Sequence, residues 1–380
     1  IRYNGRMESK HKIVGEFLQA GQKFLLNLSK TKSLEKKINR PQEPKRPLPY
    51  LEEEVSFVNK TDNIVLKGTL TIPPEANKHP AVVLISGSGP QNRNEEILNH
   101  KPFLVIADYL TRNGIAVLRF DDRGFAESEG VHGNANSYDF SKDAEAGFQF
   151  LRTRPEIDPL NIGLIGHSEG GMIAPMIASR NDQVKFIVLL AGTGIRGDKI
   201  ILLQSELIGR VNGASENDLA KSKLLAQGAF ELVAKATSNS ELKIDLRQYF
   251  NEVDSTKAEI PSGLSYAQLV EQYVGTFSSP WMTYFLTYDP KLALEKVKCP
   301  VLALNGERDL QVPAKINLEA IELALLRGGN TKSKLLEFPN LNHLFQECRT
   351  GAPSEYGDLE QTIAPFVLEE LSNCNHEKIK

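Results

Sequence analysis

The sequence of 380 residues predicts an α/β protein built on a doubly wound, mostly parallel sheet. Three observations carry that prediction. Six short, continuous apolar runs recur along the chain, segments of helical spacing separate most of them, and two stretches of alternating character precede the first. Continuous apolar runs suit strands buried on both faces by helices, whereas alternation suits strands with one solvated face.

Taken in order, residues 54–58 and 64–72 alternate and are predicted to pair as an antiparallel hairpin. Buried strands are then expected at 81–85, 115–120, 162–165, 186–190, 301–304 and 335–338, with helices such as 103–112 and 139–152 between them. About a hundred residues separate Leu190 from Val301 without a buried strand. Their composition is helical, as in 218–235 and 266–273, with breaks at Pro261 and Pro280. They predict a helical cap, residues 195–290, lying over the carboxyl edge of a core made of residues 51–194 and 291–380.

Residues 1–50 stand apart. Twelve Lys or Arg face four Glu there, a local charge of +8 in a chain whose net charge is −3. Ile13, Val14, Phe17, Leu18, Phe24, Leu25 and Leu28 are predicted to share one face of a basic amphipathic helix packed on the protein or a partner, followed by a proline-rich linker from Pro41 to Pro49.

The net charge supplies no basic field for nucleic acid. No run reaches the roughly 18 apolar residues of an integral membrane segment. Cys299, Cys348 and Cys374 are odd in number and lack a C-x-x-C pair, so neither a disulfide framework nor a cysteine zinc site is expected. Metal-binding and nucleotide-binding spacings are absent, so no metal and no cofactor is implied. The first residue is Ile1 rather than Met, which is compatible with a removed secretion signal. Neither compartment nor oligomeric state is legible.

The most specific feature is Gly166-His167-Ser168-Glu169-Gly170-Gly171, directly after the strand at 162–165 and before a helical run at 172–179. A serine hydroxyl is a weak nucleophile that must be exposed beside a base, and a sharp strand-to-helix turn achieves this. The base is expected to be His343, the one of seven histidines that lies just past the last predicted strand, where loops at the carboxyl ends of parallel strands converge. His167 is expected to pack beneath the turn. Asp309, in the loop after the strand at 301–304, is the expected carboxylate partner of the imidazole, with Glu307 as its rival. The Glu169 amide and that of Ser88, in the loop Ser86-Gly87-Ser88-Gly89-Pro90, are the expected oxyanion donors. Asp121-Asp122-Arg123 is expected to brace that loop. Trp281, Met282 and Phe285, at the end of the cap, are expected to wall a substrate pocket.

From residue 52 to 372 these features resemble the α/β-hydrolase superfamily, in its dienelactone-hydrolase and prolyl-oligopeptidase-like branch, and are similar to carboxylesterases with a G-H-S-E-G-G elbow. The motifs that carry the resemblance are Gly87-Ser88-Gly89-Pro90-Gln91-Asn92-Arg93-Asn94, Phe120-Asp121-Asp122-Arg123-Gly124, the elbow itself and Gly306-Glu307-Arg308-Asp309, with nucleophile, acid and base in the order Ser168, Asp309, His343. The resemblance implies an eight-stranded sheet with the cap after its sixth strand, and hydrolysis of small-molecule carboxylic esters through an acyl-enzyme. Dienelactone hydrolases proper use cysteine where this chain has Ser168, and fifty N-terminal residues are too few for the β-propeller of the peptidase relatives. A peptidase or acyltransferase on the same triad, or a non-catalytic binding protein with this fold, are the alternatives.

Overall fold

The structure, a computed structural model, describes residues 2–10, 12–19, 22–29, 39–252 and 264–373. Near its start the chain forms strands, not a helix. β1 (Arg2–Ser9), β2 (Lys12–Gln19), β3 (Gln22–Leu25) and β4 (Leu28–Ser29) make a small antiparallel sheet in which β1, β3 and β4 all pair with β2. The predicted amphipathic helix is therefore corrected: Ile13, Val14, Phe17 and Leu18 lie in β2, Phe24 and Leu25 in β3, and Leu28 in β4. The apolar pairs 13/17 and 14/18 are four residues apart, an even spacing that fits a strand face as well as a helix face. Adjacent β-branched residues at 13 and 14 and a glycine at 15, worth about 1 kcal/mol against helix, tip the balance.

The main sheet has eight strands: β5 (Leu51–Asn59), β6 (Ile64–Ile72), β7 (His79–Ile85), β8 (Ala116–Phe120), β9 (Ile157–His167), β10 (Ile187–Leu190), β11 (Val301–Gly306) and β12 (Ser333–Phe338). Their spatial order is β12-β11-β10-β9-β7-β8-β6-β5. The expected hairpin is β5 with β6. β6 also meets β8 antiparallel, and all remaining pairs are parallel. Every predicted strand of the core is present.

Helices cover both faces, which is why the central strands are apolar throughout. Ala81, Val83 and Ile85 of β7 point into a core shared with Phe148 and Leu151 of α2 (Ser137–Arg152) and Ile173 and Ile177 of α3 (Glu169–Ala178). Val82 and Leu84 point the other way, toward Phe103, Ile106 and Leu110 of α1 (Pro102–Arg112).

Between β10 and β11 come α4 (Gly197–Val211), α5 (Glu216–Lys235), α6 (Asn239–Glu252), α7 (Tyr266–Phe277), α8 (Pro280–Thr287) and the short α9 (Lys291–Leu294). Phe230, Leu246, Phe250, Val274 and Leu286 give this insertion an apolar interior of its own. A further cluster joins it to the core: Ile200 of α4 and Phe285 of α8 pack with Met172 and Met176 of α3 and with Val312. α10 (Ala314–Arg327) and α11 (Pro365–Asn373) complete the helical layers.

The proline-rich stretch is fastened down rather than free. Arg40 donates to the carbonyls of Leu98, Asn99, Gly357 and Leu359. Gln42 donates to Ile363 O at 2.6 Å and accepts from the amides of Thr362 and Ile363.

α3 sits unusually close to the sheet. A Cβ at Gly166 would stand 2.0 Å from Gly170 O, one at Gly170 2.1 Å from Ile85 O, and one at Gly171 2.6 Å from the Cα of Gly192. Each obstacle is backbone, which cannot rotate away. Gly170→Ala is thus expected to cost about 3 kcal/mol of stability as an overpacked contact. Gly275→Ala, in α7 with nothing within 4 Å, is expected to gain about 0.5–1 kcal/mol. Urea unfolding of the two variants checks both signs.

Candidate active site

Ser168 occupies the turn between β9 and α3 with φ 53° and ψ −112°. That region disfavours any residue with a side chain and persists only where its surroundings enforce it. Here the Ser168 amide donates to Leu190 O at 2.8 Å and its carbonyl accepts from the Gly171 amide at 3.0 Å. The side chain is half-buried. Because α3 starts at Glu169, the Glu169 amide is among the four that find no partner within a helix, at the positive end of its dipole.

The loop after β7 lies against the serine, since a Cβ on Gly87 would be 3.3 Å from Ser168 Cβ. Acids hold the loop. Asp122 accepts from Ser86 Oγ at 2.7 Å and from the Gln91 amide at 2.8 Å. Asp121 accepts from the Arg93 amide and from its Nη2, both at 2.7 Å. Glu95 accepts from the Gly87 amide at 2.7 Å. The two aspartates supply the brace expected at 121–123, whereas Arg123 turns away to Asp143, at 2.6 Å, and to Asp62. Burial pushes the Asp122 carboxyl well above the usual range, against the bonds from Ser86 and Gln91 that favour its charge. Ser88 is exposed on the same loop.

Across the rim, Asp309 is 2% exposed and His343 5%. Asp309 Oδ1 accepts from the amides of Gln311 and Val312, both at 2.8 Å, and Oδ2 accepts from His343 Nδ1 at 2.8 Å. With the Nδ1 proton committed to Asp309, Nε2 is left as the basic nitrogen. Glu307, the rival acid, instead accepts from the Asn340 amide. Asn342 shapes the loop by accepting from the amides of Leu344 and Gln346 at 3.0 Å. The His343 ring packs on that of His167, the residue before Ser168; no hydrogen bond joins it to the Ser168 hydroxyl, a contact that in unliganded sites is often long.

Two groups that carry this arrangement escaped the sequence. His167 is buried beneath the turn, as expected, but its bonds are specific: Nε2 donates to His343 O at 3.0 Å and Nδ1 meets Glu95 Oε1 at 2.9 Å. Its ring lies 4.8 Å from that of His343. Desolvation opposes its charge, but the Glu95 carboxylate, the His343 carbonyl and Asp309 prevail and hold the imidazole above its ordinary value. Glu95 itself is 4% exposed and sits at φ 50°. Among the described residues no group of three His, Cys, Asp or Glu is placed to hold a metal.

A family model described as serine aminopeptidase, S33, matches residues 100–226, a span that contains Ser168 but neither Asp309 nor His343. The esterase EstD of Thermotoga maritima is 28% identical over 305 residues, 78% of this chain and 62% of that protein, so the chain spans about three fifths of that relative. Thiohydrolase aneE of Aspergillus aculeatus is 38% identical over 138 residues, 36% of this chain and 40% of its own. The α/β hydrolase GrgF from Penicillium sp. sh18 matches in three dimensions with a TM-score of 0.52 and 17% identity, covering 86% of this chain and 99% of that one. The likeness in three dimensions and the strand order show that the chain has the α/β-hydrolase fold.

Trp281 links the insertion to the turn that carries Ser168. Trp281 of α8 donates its indole N–H to Glu169 Oε1 at 2.9 Å, and Ser137 Oγ donates to the same oxygen at 2.6 Å. Trp281 stacks on Phe285, ring centroids 5.0 Å apart, while Phe285 is buried in the cluster against α3 and Met282 packs with the interior of the insertion. Glu169, expected only as a backbone donor, is 2% exposed. Burial raises its carboxyl above the ordinary 4.5, against bonds from Ser137, Trp281 and Ser88 that favour the charge.

That shift has a definite sign. The folded state keeps the Glu169 proton to higher pH than the unfolded chain does, so the carboxyl's contribution to stability is complete below pH 4.5 and is lost as pH rises through the folded value. Glu169→Gln, which retains an acceptor for Trp281 and Ser137, is expected to gain in melting temperature relative to the parent between pH 4 and pH 8; a difference independent of pH would contradict this.

Proposed function

We propose that this protein is a serine hydrolase that cleaves small carboxylic esters through a covalent acyl-enzyme. The observation that carries the reading is the buried 2.8 Å bond from His343 Nδ1 to Asp309 Oδ2 beside a serine held at a strained strand-to-helix turn. His343 Nε2 takes the proton as Ser168 Oγ attacks the ester carbonyl, and Asp309 keeps the ring in the required tautomer and balances the imidazolium that forms. The amides of Glu169 and Ser88 face the oxyanion, the first with the favourable end of the α3 dipole behind it. Collapse of the tetrahedral intermediate expels the alcohol, which takes the proton back from His343. Water then enters by the same route and releases the acid.

Residues 195–290 act as a cap over the core formed by 51–194 and 291–380. Trp281 walls the acyl side of the pocket, with Phe285 and Met282 behind it. The esterase name of the Thermotoga maritima relative supports an ester substrate. The description of the matching family model favours a second reading, aminoacyl transfer to water from a peptide or arylamide, on the same acyl-enzyme chemistry.

A panel of p-nitrophenyl esters and aminoacyl p-nitroanilides separates the two. Ester hydrolysis is expected, with Ser168→Ala lowering kcat by about 10⁴-fold or more and abolishing labelling by a fluorophosphonate. Undiminished turnover in that variant sinks the proposal, and labelling also separates an enzyme from a binding scaffold. Trp281→Ala is expected to change the ratio of kcat/KM for long over short acyl chains; an unaltered ratio removes Trp281 from the pocket.

A further inference from the structure

Outside the triad, a buried contact at 2.9 Å joins His167 to Glu95 next to the serine turn. We propose that these two residues form an ion pair that positions both the base and the oxyanion loop of the proposed serine reaction. The inference rests on the reading of Ser168 as nucleophile.

The protonation state follows from the partners. A carbonyl oxygen only accepts, so the 3.0 Å contact from His167 Nε2 to His343 O requires a proton on Nε2. Glu95 Oε1 already accepts from the Gly87 amide at 2.7 Å and stands 2.9 Å from His167 Nδ1. An ionised Glu95 satisfies both donors when Nδ1 also carries a proton, which makes the ring an imidazolium. The charged groups around the pair come from four separate loops: Glu95 after β7, Asp122 after β8, and Asp309 and His343 after β11 and β12. Burial favours the neutral form of Asp122, which leaves Glu95 and Asp309 as the carboxylates that favour a charged His167 ring.

Each end of the pair is tied to a part of the reaction. His167 precedes Ser168 and holds the backbone of His343. Glu95 holds the amide of Gly87, next to Ser88. Glu95 also adopts a positive φ of 50°, the kind of backbone strain that a fold maintains where it fixes a side chain for use. Loss of the His167 proton turns the Nδ1 lone pair toward the carboxylate oxygen, converts an attractive contact into a repulsive one, and frees the Gly87 amide and with it the loop.

The test combines pH profiles of kcat and KM on a p-nitrophenyl ester with ¹⁵N spectra of the His167 ring, assigned by its disappearance in His167→Gln. Glu95→Gln keeps an acceptor for the Gly87 amide but removes the charge. It is expected to lower kcat at pH 7 by about ten- to a hundredfold with little change in KM, as misplacement of reacting groups does. It should also move the alkaline limb of kcat to lower pH, a displacement that a merely structural role would not produce. In the parent protein both His167 nitrogens should be protonated at pH 7, and in Glu95→Gln the ring should lose its proton at lower pH. A neutral His167 ring in the parent at pH 7, or coincident alkaline limbs in the two proteins, overturns the proposal. The ring spectra decide the ion pair even if Glu95→Gln fails to fold or no ester is turned over. Absence of fluorophosphonate labelling alongside an intact imidazolium would instead count against the serine mechanism.

Discussion

The arrangement depends on one close approach, that of α3 to the carboxyl end of β9. Ser168 holds a backbone conformation that an unconstrained serine avoids, and it does so because the helix behind it cannot retreat. Gly166, Gly170, Gly171 and Gly192 let backbone meet backbone at distances no side chain would tolerate. The Leu190 carbonyl then fixes the serine amide from the neighbouring strand. One packing constraint thereby holds the serine at the turn, starts a helix directly after it, and leaves the free amides of that helix where the proposed reaction would develop negative charge.

Around this turn the protein uses acids as fasteners. Glu95, Asp121, Asp122 and Asp309 each accept from one or more loop amides, and Glu169 accepts from a serine and the single tryptophan. A carboxylate offers several acceptor sites in a small volume, so it can organise an irregular loop whose amides have no regular partners. The corresponding expense is electrostatic. Asp122 is shifted upward by burial and by the neighbouring Glu169 and Glu95, and Glu169 by burial.

Much of this was legible in the sequence. Apolar runs give strands of the main sheet because both faces are covered, and a Ser, Asp and His that each follow a strand must come to one edge when those strands are parallel. Residues whose role is set by backbone geometry, such as Ser168, announce themselves by flanking glycines. Glu95 does not: nothing in Asn94-Glu95-Glu96 distinguishes an interior carboxylate from a surface one, because its partners lie on loops distant in sequence. The side chain of Glu169 was likewise overlooked behind its amide, although the glutamate after the serine directly contacts the insertion. The misjudged N-terminal segment shows a different limit. A spacing of four serves both periodicities, so short apolar pairs cannot choose between helix and strand without the local cost of a glycine such as Gly15.

Arg40 satisfies four main-chain oxygens from two separate segments, residues 98–99 and 357–359, and Gln42 binds the adjoining residues 362 and 363. Those residues lead into Ala364, whose amide bonds Phe345 two positions beyond His343. Trimming the chain past residue 39 would hand all of these groups to solvent at once, beside the histidine-bearing loop. A shortened version that begins at the first strand of the large sheet would therefore lose a buttress, even though every side chain of the proposed triad lies downstream of the cut.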